Sequence, residues 1–247
     1  MALTKITGAG LSNVDGPVGI GIDPDTISNG KAVQVNRTVI NDDDGGSLHI
    51  AQNGYYNSAW KYVENGTAEK ITFASGAISF SNASSNSSGA DASLSWSEHM
   101  KIDANGHVTM PNQPAFNASN NGTQSNIATG SQVTVALGTE RFDNNGDFAS
   151  NTFTAPVTGK YQLNVILRLD SIDSAAYYYE LKIVTSNQSY GILTDPDFGQ
   201  DNNFLDMTIA ILADMDASDT STVELRQESG TAQADIVDVK FSGFLVC

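Results

Sequence analysis

The side chains with chemical potential in this chain are mostly carboxylates. Asp195-Pro196-Asp197 followed by Asp201 gathers three acids in one short stretch, and Asp42-Asp43-Asp44 sets three in a row. Oxygen-only groups of this kind suit Ca2+, which takes several oxygen ligands at roughly 2.3–2.6 Å. Both stretches also read as solvated acidic turns, and neither has the ligand order of an EF-hand. Asp195, Asp197 and Asp201 are a candidate calcium site. No other cofactor is expected. His49, His99 and His107 stand apart, with no HExxH pattern and no cysteine pair beside them, so they read as strand-surface residues. Glycoside hydrolysis needs two positioned carboxylates, and the sequence pairs none. Cys247 is the single cysteine, so no disulfide forms within the chain. The expectation is a binding protein with no catalytic residues.

The balance of charge narrows the partners. The 247 residues carry 28 acidic and 12 basic side chains, a formal net charge of -16. So few cations exclude nucleic acid, whose phosphates need Lys and Arg. No apolar run is long enough to span a bilayer, so no membrane insertion is expected. No basic segment followed by an apolar one opens the sequence, and synthesis in a cytoplasm is the expectation. Charged residues are only 16% of the chain, so its polar surface is Asn, Ser, Thr, Gly and Gln. Those residues favour turns and exposed strand faces over long helices.

The elements that must position these groups are strands. Beyond the turn at Pro156 and Gly159, Tyr161, Leu163, Val165, Leu167 and Leu169 alternate strictly with mostly polar residues. Period two means one buried face of a sheet. Further strands are expected at Tyr177–Val184, Tyr190–Leu193, Phe204–Ala213, Thr222–Gln227 and Ile236–Val246. Short strands separated by turn signals predict an all-β antiparallel sandwich. The preceding region has short strands as well, such as Ser47–Ala51, Ile71–Phe73, Ile78–Phe80 and Met100–Ile102. Asn53-Gly54 reads as a hairpin turn and 81–90 as a loop by composition. Large apolar residues are too few there to close a core, so copies of the chain are expected to complete it. Trp60 and Trp96 read as filling the axis of such a shaft, with sugar stacking as the other reading. The predicted organisation is an attachment arm at 1–15, a β-rich shaft at 16–110, and a head at 111–247 entered through a proline linker at 111–114.

Two resemblances refine this. Pro114-Ala115-Phe116, the spacing Phe153, Gly159, Tyr161 (F-x5-G-x-Y), and Phe241-Ser-Gly-Phe-Leu245 resemble the C1q/TNF-like jelly-roll family over about 111–247. Phe142 and Phe148 depart from that family's upstream spacing, and no collagen repeat precedes them. The resemblance implies a jelly-roll sandwich and a homotrimer. Tyr161, Phe204, Phe241 and Phe244 are more aromatic surface than one small sandwich needs, and they are expected to serve that assembly. Val18-Gly-Ile-Gly-Ile-Asp-Pro24, Ala59-Trp-Lys-Tyr62 and Glu98-His-Met-Lys-Ile-Asp-Ala-Asn-Gly-His-Val108 are similar to bacteriophage tail-fibre phrases. They imply a trimeric fibre made in the cytoplasm of a bacterial host and mounted on the virion tail. Its partners would be its own copies, other tail proteins and a host-surface receptor. A purely structural virion component and a bacterial C1q-like adhesin are the competing readings.

Strand parity sorts the loops of the head. Those at 170–176, 194–203 and 228–234 fall at one end. There Asp173, Tyr177, Tyr178, Asp195, Asp197, Phe198, Asp201, Gln233 and Asp235 are expected to meet a receptor. Acidic, amide and aromatic side chains on loops held by a rigid scaffold suit glycan or protein recognition.

Overall fold

The computed structural model describes residues 18–20, 31–43 and 45–247. The expected arm, most of the phrase at 16–24, and Asp44 lie outside them. The chain divides into two compact units, Met1–Pro111 and Asn112–Cys247.

Unit 1 contains β1 Val18–Ile20, β2 Lys31–Val35, β3 Thr38–Asp42, β4 Ser47–Gln52, β5 Gly54–Tyr56 and β6 Trp60–Tyr62. It continues with β7 Gly66–Ala74, β8 Ala77–Asn86, β9 Ser97–Ile102 and β10 Val108–Thr109. Eight of these form one sheet in the order β1-β2-β3-β4-β7-β8-β9-β10, and β5 and β6 pair as a separate ribbon. All neighbours in the sheet are antiparallel except β1 and β2.

Asn53-Gly54 is not a hairpin turn. The next sheet partner of β4 is β7, so the chain leaves the sheet at Asn53 to make the ribbon. Buried Asn53 fastens that detour. Its amide donates to the carbonyls of Glu64 (3.2 Å) and Thr67 (2.9 Å) and accepts from Glu64 N–H (2.9 Å). The expected loop at 81–90 is also corrected, because β8 runs on to Asn86 in register with β7. Polar composition did not stop the strand, since sheet pairing uses the backbone and Ala83 supplies a buried contact beside Tyr62. The ribbon covers one face of the sheet in two small clusters, Tyr55 with Ala32 and Val39, and Tyr62 with Ala68, Ala83 and Leu94. Alanines beneath the aromatic rings let the layers approach closely.

The other face carries two aligned apolar rows. Val33, Ile40, Ile50, Ile71, Phe80 and Met100 are paired one after another across six strands. Leu48, Phe73, Ile78, Ile102 and Val108 form the second row. None of these residues is buried.

Unit 2 contains β11 Ala115–Ser119, β12 Gln132–Thr134, β13 Thr139–Asp143, β14 Phe148–Ala149, β15 Thr152–Thr154 and β16 Gly159–Ile172. It ends with β17 Tyr178–Thr185, β18 Ser189–Thr194, β19 Asn202–Met215, β20 Thr220–Glu228 and β21 Asp235–Leu245. One sheet runs β13-β11-β21-β16-β19. The other runs β14-β15-β20-β17-β18, with β12 also on β20. All pairs are antiparallel. The first and last strands lie side by side while the strands between them divide over two sheets, which makes this a jelly roll. That is the fold the C1q/TNF-like resemblance implied.

The core is the alternating face of β16 against its counterparts. Tyr161, Leu163, Val165, Leu167 and Leu169 are fully buried, as are Tyr179, Leu181 and Ile183 of β17 and Val223 and Leu225 of β20. Each such aliphatic side chain contributes roughly 1.5–3 kcal/mol. The motif residues meet in space: Phe116 stacks on Phe153 at 4.5 Å between ring centroids, and Phe153 lies 5.5 Å from Tyr161. Gly243 sits where a Cβ would lie 2.6 Å from Leu163 Cδ2 and 2.8 Å from Phe116 Cε1, so any side chain there must displace its neighbours. Tyr161 and Phe241, expected to offer surface for assembly, are buried within their own sandwich. Their hydrogen-bond register places them on its inner face. Only Phe204 (60%) and Phe244 (46%) of that group are exposed.

Candidate functional site

Strand direction sends four loops of unit 2 to one end: 120–131 before β12, 173–177 before β17, 195–201 before β19, and 229–234 before β21. Carboxylates and amides bolt them together. Asp173 Oδ1 accepts the N–H of Ala175 (2.8 Å). Its Oδ2 accepts the N–H of Ala232 (2.7 Å) and both the N–H and the hydroxyl of Thr231. Asp201 Oδ1 accepts the N–H (2.8 Å) and hydroxyl (2.7 Å) of Ser174. Asp235 accepts Asn126 N–H at 2.7 Å, and Gln233 donates to the carbonyl of Ile127 at 3.1 Å. Fully buried Gln227 donates to the carbonyls of Ser229 and Ala232 and accepts from Ala234 N–H.

These bonds leave their mark on acidity. Asp173 is held below the usual carboxylate range, first by the N–H of Ala232 and then by those of Ala175 and Thr231, against the opposing effect of burial. Asp201 is lowered in the same way by the Ser174 N–H and hydroxyl. A carboxylate that accepts several N–H bonds is stabilised in its charged form.

The structure treats the sequence candidates differently. Tyr177 is 72% exposed, beyond the start of β17, with its ring 5.6 Å from that of half-buried Tyr178. Asp195, Asp197, Phe198, Asp201 and Gln233 are exposed, and Asp235 is half-buried. Asp173 departs from expectation: at 2% exposure it fastens the loops and presents nothing at the surface. Its side-chain bond to the N–H two residues on is an Asx turn, a pattern legible in Asp173-Ser-Ala.

Asp195, Asp197 and Asp201 do not converge. Asp195 accepts the N–H of Asp197 (3.1 Å) while Asp201 faces Ser174. Among the described residues, no three carboxylate, imidazole or thiolate groups are placed to hold a metal ion. Asp43 likewise closes a turn, accepting the N–H groups of Gly45 and Ser47, both at 2.9 Å. The sequence reading missed the loop 120–131, whose end is fixed only by the pairing of β11 with β21 and of β12 with β20.

Unit 1 holds a second concentration of polar and aromatic groups. The rings of His49, Tyr56 and Trp96 all approach Trp60 edge-on, with centroids 5.2, 5.8 and 5.4 Å away. Lys70 Nζ lies 4.4 Å from the Trp60 ring and 4.7 Å from that of Trp96. Burial pushes the Lys70 amine down to about 8. Burial and the Lys70 charge lower His49, with Asp43 opposing them at 3.6 Å. Trp60 and Trp96 therefore pack within one chain, on the face opposite the apolar rows, because Lys70 lies on that face between Ile71 and Glu69.

No family model and no curated protein matches the chain. Among solved structures, it is similar to the globular domain of zebrafish complement 1qA protein, at 19% identity over 55% of this chain and 98% of that one, with a TM-score of 0.42. It is also similar to murine APRIL, at 8% identity over 54% of this chain and 99% of that one, with a TM-score of 0.41. Neither likeness carries a role across to this protein.

Proposed function

We propose that the protein is a bacteriophage tail-fibre protein whose unit 2 recognises a glycan or protein on the host surface. The observation that supports this reading is the bolted loop end of the jelly roll. It fixes four loops through Asp173, Asp201, Gln227, Gln233 and Asp235, and it leaves Tyr177, Phe198, Phe204, Asp195 and Asp197 exposed on that end. Exposed aromatic rings give stacking area at little entropic cost, and the neighbouring carboxylates and amides give directional hydrogen bonds. The phage assignment rests on the phrases at 18–24, 59–62 and 98–108. Three copies of the head would strengthen weak single-site contacts through effective concentration.

The test is binding of the labelled full-length chain to a panel of bacterial cells and to a glycan array, beside Tyr177→Ala and Phe198→Ala. Adsorption to particular cells or glycans, weakened about tenfold or more by either substitution at unchanged melting temperature, is expected; one lost aromatic contact is worth about 1–2 kcal/mol. Binding unaffected by both substitutions would overturn the assignment to this end of the head.

A further inference from the structure

The two apolar rows of unit 1 are a face built to be covered. Val33, Ile40, Leu48, Ile50, Phe73, Phe80 and Val108 are each 36–55% exposed. From β4 to β10 the rows contain no charged residue, in a chain with 28 acidic and 12 basic side chains. The opposite face of the same sheet already has its cover in the β5–β6 ribbon. The rows also open into a hollow of about 420 Å3, whose lining includes Ile50, Ile71 and Phe80 together with Gln52, Glu69 and Asn82.

We infer that this face packs against the same face of further copies of the chain, and that unit 1 self-associates through it whatever unit 2 binds. Size and charge point to copies. Strands about 4.8 Å apart make the face roughly 29 Å wide over six strands, and the two apolar rows together with the polar row Gln52, Glu69 and Asn82 beside them add about 20 Å along it. That is about 600 Å2 per copy, or about 1,200 Å2 for a pair, the lower end of what a specific interface buries. The net charge of -16 makes copies repel one another over most of their surface. The uncharged rows are where they can meet without that repulsion. A basic partner would find only Glu69 and Asp42 at the edges of the rows, whereas an apolar surface is complementary to itself. The hollow receives side chains from the facing copy, as interdigitated interfaces require.

Site-directed cross-linking in the full chain tests this. With Cys247→Ser as background, single cysteines are placed on the rows (Leu48→Cys, Phe73→Cys) and on the opposite face (Lys101→Cys), then treated with a short bis-maleimide. Cross-linked multimers are expected from the row positions and not from Lys101→Cys. In sedimentation, Ile71→Asp should weaken association at least tenfold, and it should expose a surface that binds an anilinonaphthalene dye. A chain that is monomeric at tens of micromolar, or cross-linking that is equal from both faces, would overturn the inference. So would multimers held by unit 2 in which the row cysteines stay unlinked. That last result would leave the proposed role of unit 2 intact, just as loss of receptor binding would leave the row contact intact.

Discussion

Replacing Asp173 by Asn separates fastening from recognition. The carboxylate receives an N–H on one oxygen and two N–H groups and a hydroxyl on the other. Asn keeps the shape but has one acceptor oxygen, so its NH2 must face at least one of those donors. Loss of a hydrogen bond to a charged acceptor costs about 2–3 kcal/mol. For a domain of roughly 140 residues this lowers the melting temperature by about 7–10 °C. Hydrogen exchange at 173–177 and 229–234 should accelerate together, because one side chain holds both loops.

The pH dependence has a definite sign. The folded-state acidity of Asp173 is shifted below that of the unfolded chain, about 3.9. Its contribution is therefore complete above that value and is lost as pH falls through the folded value. The gap between wild type and Asp173→Asn should close in acid, where the protonated wild type resembles the variant. The assays are thermal and urea unfolding at pH 7 and at a series of values descending from pH 4, with exchange mass spectrometry at neutral pH. A shift under about 3 °C at pH 7, or a gap that persists in acid, would refute the fastening role.

Gly243→Ala should destabilise unit 2 by about 1–3 kcal/mol, measured by urea unfolding, because the added methyl meets Leu163, Phe116 and the Gln162 carbonyl at 2.6–3.0 Å. Trp60 and Trp96 are the only tryptophans, so emission excited selectively at tryptophan reports on the Lys70 cluster. It should titrate with a midpoint near the Lys70 value of about 8, and Lys70→Met should abolish the transition. The folded value lies below that of a free lysine, so the unfolded chain holds the extra proton between them. Stability should rise with pH over that window.

Period-two alternation made β16, β17 and β20 legible, because a half-buried strand writes its two faces into consecutive residues. The spacing of Phe153, Gly159 and Tyr161 with the ending at Phe241–Leu245 carried the jelly roll, because those residues meet in one core. Which face of a strand points inward is a property of pairing, however. Register put Phe241 inside beside the Tyr161 that alternation had already turned inward, kept β8 extended through Asn and Ser to Asn86, and turned the expected hairpin at Asn53 into the start of a ribbon. Asp173 and Asp195 look alike in sequence, each followed by small or turn-forming residues. Only the return of 231–232 from far along the chain supplies the N–H groups that bury one and leave the other in water. The apolar rows have the same origin. Each of β2, β3, β4, β7, β8, β9 and β10 contributes one or two aliphatic or aromatic residues, and it is the cross-strand alignment of Val33, Ile40, Ile50, Ile71, Phe80 and Met100 that makes them a surface. Local periodicity fixes what a strand is, while partners distant in sequence fix what its side chains can touch.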